Sequence, residues 1–216
     1  MIAPEGSFGI ILILLATAFL PLVAVTVTAF AKIAVVIFIV RNALGVQQLP
    51  PNIILYGLSL ILSAFIAAPI IGDAFAAVQG QQFEFQEFQD YQEAAELVAE
   101  PLREFLLRHA DEEQRGFFLE STRSIWGERY SQGVDGESMF VLVPSFLLSE
   151  LTAAFEIGFL LYLPFMAVDI IVTTILVALG MMMVPPTTIS IPFKLMLFVF
   201  LDGWTRIVQG LILSYA

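Results

Sequence analysis

The sequence predicts an all-α membrane protein, with about four long, kinked apolar helical segments forming hairpins and one small acidic helical insert outside the membrane. Three observations lead there. Hydrophobic residues make up 59% of the 216 residues and charged residues only 13%, with a mean hydropathy of +0.90. A soluble domain is roughly half apolar and a quarter charged, so this chain has too much apolar surface for one water-facing globule. Several runs of the length a helix needs to cross the hydrocarbon core are nearly free of charge. The acidity, finally, is confined: Asp73 to Glu137 holds 15 acids and five arginines, and the remainder five acids and four bases. The chain divides accordingly into an N-terminal membrane helical region (1–72), the acidic insert (73–137) and a C-terminal membrane helical hairpin region (138–216) with a methionine-triplet loop.

From Gly6 to Ala31 there is no charge, and the apolar run continues past Lys32 to Val40. Those 35 residues would make a helix about 52 Å long against a core of about 30 Å. Pro21 is the expected break or kink, leaving a short lead-in and a span over roughly 21–40. A cleaved signal peptide is not expected, because the first basic residue is Lys32. Arg41 to Asn52 is polar and holds Gly45, Pro50 and Pro51, so it reads as a loop. Ile53 to Gly72 has the length of a second span.

Within the insert, Phe83, Phe85 and Phe88 are interleaved with Glu and Gln without a clean period. Leu97, Val98, Leu102, Phe105 and Leu106 recur at helical spacing, so a small helical domain is expected there. Gly133 to Gly136 marks the return to the membrane.

Met139 to Val184 is a 46-residue apolar block, about 69 Å as one helix, with Pro164 and Gly180 as the expected interruptions. The ten Leu, Ile and Phe residues of 145–163 favour insertion by about 3–6 kcal/mol, and Glu150 and Glu156 oppose it by about 5–7. That piece needs burial against protein. Pro185 to Thr188 is a second tight loop, and Ile189 to Tyr215 forms the last apolar segment, with Asp202 and Arg206 spaced to pair along a helix face. Arg41 and Lys194 lie in and just after the two short loops, which places those loops in the cytoplasm and the insert and both termini outside.

Enzyme readings fail on inventory. There is no cysteine, and the single histidine, His109, lies among Arg108, Asp111, Glu112 and Glu113, as a solvated surface histidine would. No zinc-ligand set, Ser-His-Asp arrangement or phosphate-cradling glycine loop is visible, so neither a cofactor nor catalysis is expected. The absence of a basic patch argues against nucleic acid as a partner. Charges at membrane depth are the main anomaly: Lys32, Glu150, Glu156, Asp169, Lys194 and Asp202. They read either as a proton or ion path or as charge pairs between helices or subunits, and the presence of both signs favours pairs. Met181, Met182 and Met183, between Gly180 and Pro185, read either as core gap fillers or as residues set on a bend.

The chain resembles the SctR/FliP family, the export-gate subunit of bacterial type III secretion systems and flagella. The likeness is carried by Arg41 to Gly45 with Pro50 to Asn52, Pro101 to Phe105, Ser149 to Leu151, Ala154 and Phe155, Ile157 to Phe159, Pro164, Phe165 and Asp169. It is most specific in Leu179 to Met183, Pro185, Pro186, Pro192 to Phe198 and Asp202 to Trp204. The resemblance implies a multi-pass bacterial inner-membrane protein with its insert on the periplasmic side. It implies a pentamer with SctS-like and SctT-like subunits, and SctU-like and SctV-like components nearby. The helices would form a closed conical assembly, much of it raised from the lipid, around a channel for unfolded secreted proteins. Met181, Met182 and Met183 would then form a constricting ring, and the buried charges inter-subunit pairs. The absence of an expected signal peptide and Thr152 after Ser149-Glu150-Leu151, where flagellar members carry Lys, favour the injectisome branch. The competing expectation is a small-ion or proton transporter that uses the membrane carboxylates.

Overall fold

The computed structural model describes residues 17–19, 21–46, 48–79 and 88–216. Among them every regular element is helical. The elements are α1 (Phe30–Ala43), α2 (Asn52–Gln79), α3 (Phe88–His109), α4 (Glu112–Trp126), α5 (Glu128–Ser131), α6 (Met139–Ala178), α7 (Pro186–Phe200) and α8 (Gly203–Leu213), and residues 17–19 and 21–26 are helical as well. α2 and α6 are each long and apolar enough to cross a membrane. α7 and α8, bent by 59° at a short break, pass the same test as a pair, as does the leading helix with α1, so the candidate spans among the described residues number between two and four. The chain is an all-α membrane protein. The lead-in before residue 17 and the Phe83 and Phe85 positions lie outside the described residues.

Two expected breaks are corrected. Residues 21–26 remain helical after Pro21, and the interruption falls at Val27–Ala29. There the side chains of Thr26 and Thr28 donate to the carbonyls of Leu22 and Ala24, and Phe30 N–H donates to Thr28 Oγ1 at 3.4 Å. Threonines that bond backwards in this way compete with the helical ladder and bend it. The other correction is Pro164, through which α6 continues without interruption for 40 residues. An internal proline costs about 3 kcal/mol. In a helix long and apolar enough to cross a membrane, unwinding a turn would strand several backbone groups away from water, so the helix persists. Gly180 does act as the stop. α2 likewise continues through Pro69 and Gly72, and is described as far as Gln79.

The described residues gather into two compact units. The first draws on the described residues among 1–31 and 69–148. Its core is Val27, Leu106, Ala110, Leu142 and Phe146, flanked by Leu102, Phe105, Leu107, Met139 and Val143. The Phe105 and Phe146 rings meet at 5.6 Å. α3 is amphipathic, so one stripe reaches that core while Glu100–Arg103 and Glu104–Arg108 pair on its exposed side. His109 is half-buried against Phe105. Asp111 caps α4 by accepting from Glu113 N–H at 2.8 Å and Gln114 N–H at 3.3 Å.

The second unit draws on residues 32–68 and 149–216 and contains the membrane-depth charges and the methionine triplet. α1 is its most buried element, with Ile33, Val36, Ile37 and Val40 fully covered. α6 crosses α1 closely at Gly158, where an added Cβ would overlap the Ile39 side chain and stand 3.3 Å from its Cβ. Small residues of this kind allow apolar helices to pack backbone against backbone.

Candidate functional site

Four charges of the second unit form two clusters, the first buried and the second partly buried, each a lysine, a carboxylate from α6 and a hydroxyl. In the first, Lys32 Nζ on α1 lies 3.0 Å from Glu150 Oε1, with both side chains almost wholly buried. The Tyr215 hydroxyl donates to Glu150 Oε2, and the Lys32 ammonium also sits 3.8 Å from the centroid of the Tyr215 ring. In the second, Lys194 Nζ on α7 lies 2.6 Å from Asp169 Oδ2 and 3.0 Å from the carbonyl oxygen of Ala43. Ser190, one turn before Lys194 on the same face, donates to Asp169 Oδ1 at 2.6 Å.

Each cluster balances its charge and satisfies both carboxylate oxygens. That matters energetically, because an unpaired charge in a dry interior costs several kcal/mol, whereas a paired and hydrogen-bonded one is tolerated. Ala43 is the last residue of α1, so its carbonyl is one of the orphan acceptors of a helix terminus. Lys194 places a cation at the negative end of that helix dipole. Nearby in the chain, Arg41 is buried, donates to Pro50 O at 3.3 Å and to Asn52 Oδ1, and stacks on Phe38. It thereby closes the 44–51 connection between α1 and α2.

Glu156, Asp202 and Arg206 behave differently. All three are exposed. The sequence spacing predicts an Asp202–Arg206 pair along a helix, but among the described residues no ion pair joins them. Asp202 lies between α7 and α8 in the left-handed region, at φ 50°, so the two side chains do not share one helical face. Gly203 follows because the Phe198 ring lies against it; an added Cβ would stand 2.7 Å from Cζ of that ring.

The methionine triplet occupies the turn between α6 and α7. Gly180, at φ 73°, ends α6 in a Schellman arrangement: Met181 N–H donates to Leu176 O at 2.9 Å and Gly180 N–H to Val177 O at 3.0 Å. Pro185 is the N-cap of α7 and Pro186 its first helical residue, a position where the missing N–H costs nothing. Between these stops Met181 is 45% exposed, Met182 79% and Met183 98%. Met183 therefore packs against almost nothing in its own chain, whereas Met181 is about half covered.

A model of the FliP family matches residues 12–211. The chain belongs to the FliP family. It is 53% identical over 196 residues to a probable translocation protein, y4yL, of Sinorhizobium fredii, covering 91% of this chain and 88% of that protein. It is 44% identical to Yop proteins translocation protein R of Yersinia pestis, over 100% of this chain and 99% of the relative. It is 40% identical to the virulence protein YscR of Salmonella typhimurium over the full length of both. These relatives place the chain on the injectisome side of the FliP family, the type III secretion SctR proteins.

Two members of the clusters in this FliP-family chain escape sequence reasoning. Tyr215 sits at the end of an apolar segment, and nothing local points to an acid 65 residues earlier. Ser190 carried a usable signal, because it lies four residues before a lysine on an otherwise apolar helix.

Proposed function

We propose that this chain is a core subunit of the type III secretion export gate. With copies of itself, as a pentamer, and with SctS-like and SctT-like subunits it forms the channel through which unfolded proteins cross the bacterial inner membrane. SctU-like and SctV-like components adjoin it, and the 73–137 insert faces the periplasm. The chain performs no catalysis; its work is to seal and to yield. The observation that carries this reading is the methionine turn, three consecutive flexible apolar side chains held in the open between a glycine stop and a proline start. Methionine is unbranched and deformable, and an apolar constriction can close to ions by dewetting. A ring of such turns blocks small ions at rest and reshapes around an extended polypeptide of any sequence.

The carboxylates support the same reading against proton transport. Glu150 and Asp169 are each engaged by a lysine and a hydroxyl, which is an arrangement for holding helices together. The test is the native mass of the co-expressed complex and the behaviour of Asp169→Asn within it. The gate reading expects a multimer of several copies that still secretes when the variant assembles. A stable monomer with all partners present contradicts it, as does an assembled Asp169→Asn complex that has lost proton-coupled transport.

A further inference from the structure

Glu156 on α6 and Arg206 on α8 are exposed charges on apolar helices, and neither has an ion-pair partner in its own chain among the described residues. Exposed to lipid, each would carry the full penalty of a charge in hydrocarbon. Their positions along the unit are nearly matched. Tyr215 touches Glu150, and the Phe198 ring lies 6.3 Å from Phe165 and 5.4 Å from Trp204, so α8 runs antiparallel to α6. Measured from the Glu150–Tyr215 contact, Glu156 lies six residues along α6, about 9 Å, and Arg206 nine residues back through the closing turn and α8, about 14 Å or less. The offset of about 5 Å is within the combined reach of an arginine and a glutamate.

The surroundings of both charges suit a close helical neighbour. One turn from Arg206 is Gly210, which is exposed and has nothing within 4 Å of an added Cβ. One turn from Glu156 is Thr152, also exposed. A small residue beside a charge lets a second helix approach until the charge can be paired. Two complementary faces on one chain make a head-to-tail contact, the kind that closes rings.

We infer that in the assembled gate Glu156 of one copy pairs with Arg206 of the next, with α6 of the first packed on α8 of the second. Asp202, four residues before Arg206, is the competing acid, but it sits in the turn before α8 and not on the Gly210 face. This inference rests on the chain forming a ring of its own copies, as proposed above.

The test uses charge exchange in the full chain, co-expressed with its partner subunits. Glu156→Arg and Arg206→Glu should each lower the yield of the multimer on a native gel by about tenfold or more, because each sets like charges face to face. The double variant should restore the yield, and Asp202→Asn should leave it unchanged. The chain has no cysteine, so a second arm is clean: differently tagged Glu156→Cys and Arg206→Cys chains are mixed and treated with a short bis-maleimide. A cross-linked pair bearing both tags is expected, with little product when Cys replaces Phe200 in place of Arg206. An intact multimer with no such product, or singles without effect, overturns the pairing and leaves the ring standing. Failure of the unmodified chain to form any multimer overturns both.

Discussion

The ammonium of Lys194 lies 2.6 Å from Asp169 and 3.0 Å from the carbonyl of Ala43, so one side chain of α7 fastens both α6 and the C-terminus of α1. Replacing it by methionine keeps the apolar stem and strands a carboxylate and a helix-end carbonyl. Lys194→Met should lower the stability of the detergent-solubilised protein by about 3–5 kcal/mol. Lys194→Met with Asp169→Asn should recover part of the loss, because no unpaired charge remains. Thermal unfolding of the unmodified protein and the two variants gives the comparison, and equal destabilisation by the single and double variants would mean that the ion pair is not the source.

Tyr215→Phe removes one hydroxyl while leaving the ring under Lys32. The Glu150 oxygen it served then lacks its partner, at a cost of about 1–3 kcal/mol. Tyr130→Phe, at an exposed site, should change stability by less than about 0.5 kcal/mol. Urea unfolding in detergent separates the two.

Gly180→Ala places a Cβ on a residue held at φ 73°, which costs about 1–2 kcal/mol and loosens the stop before the methionines. Gly72→Ala lies inside α2 with nothing within 4 Å of the new methyl. It should be neutral or stabilising by up to about 1 kcal/mol, since alanine is the better helix former. Protease susceptibility of the 179–185 turn should rise in the first variant only.

Replacing Met181, Met182 and Met183 together by alanine removes most of the volume the proposed constriction needs, yet removes little packing in this chain, because Met182 and Met183 are largely exposed and Met181 is about half so. The complex should still assemble. In proteoliposomes it should conduct small ions that the unmodified complex excludes. An assembled, secreting triple variant with no added conductance would remove the sealing role from these residues.

Much of this was legible in the sequence, for physical reasons that also mark its limit. Uncharged runs announce apolar helices because lipid forbids stray charges, and Gly180 announces a stop because only glycine enters the left-handed region freely. Pro164 misled, since a rule about water-exposed helices overstates what a proline can break in an apolar setting. The Val27–Ala29 break was missed because it depends on threonine hydroxyls bonding backwards, which the residue pattern does not distinguish from threonines facing elsewhere. Lys32, Glu150, Asp169 and Lys194 stand out as charges, but which acid meets which base is tertiary information: 118 residues separate Lys32 from Glu150. Asp202 and Arg206 had the spacing of a helical pair and lost it to one backbone conformation.

The central claim is that polypeptide passes the methionine turn. A photo-crosslinking residue at Met182, in a complex holding an export substrate that carries a folded plug at its trailing end, tests this directly. The account predicts a covalent adduct between this chain and the stalled substrate, and none with the same group at exposed Ile125 in the insert. Full assembly and stalled export without any adduct at Met182 would contradict it.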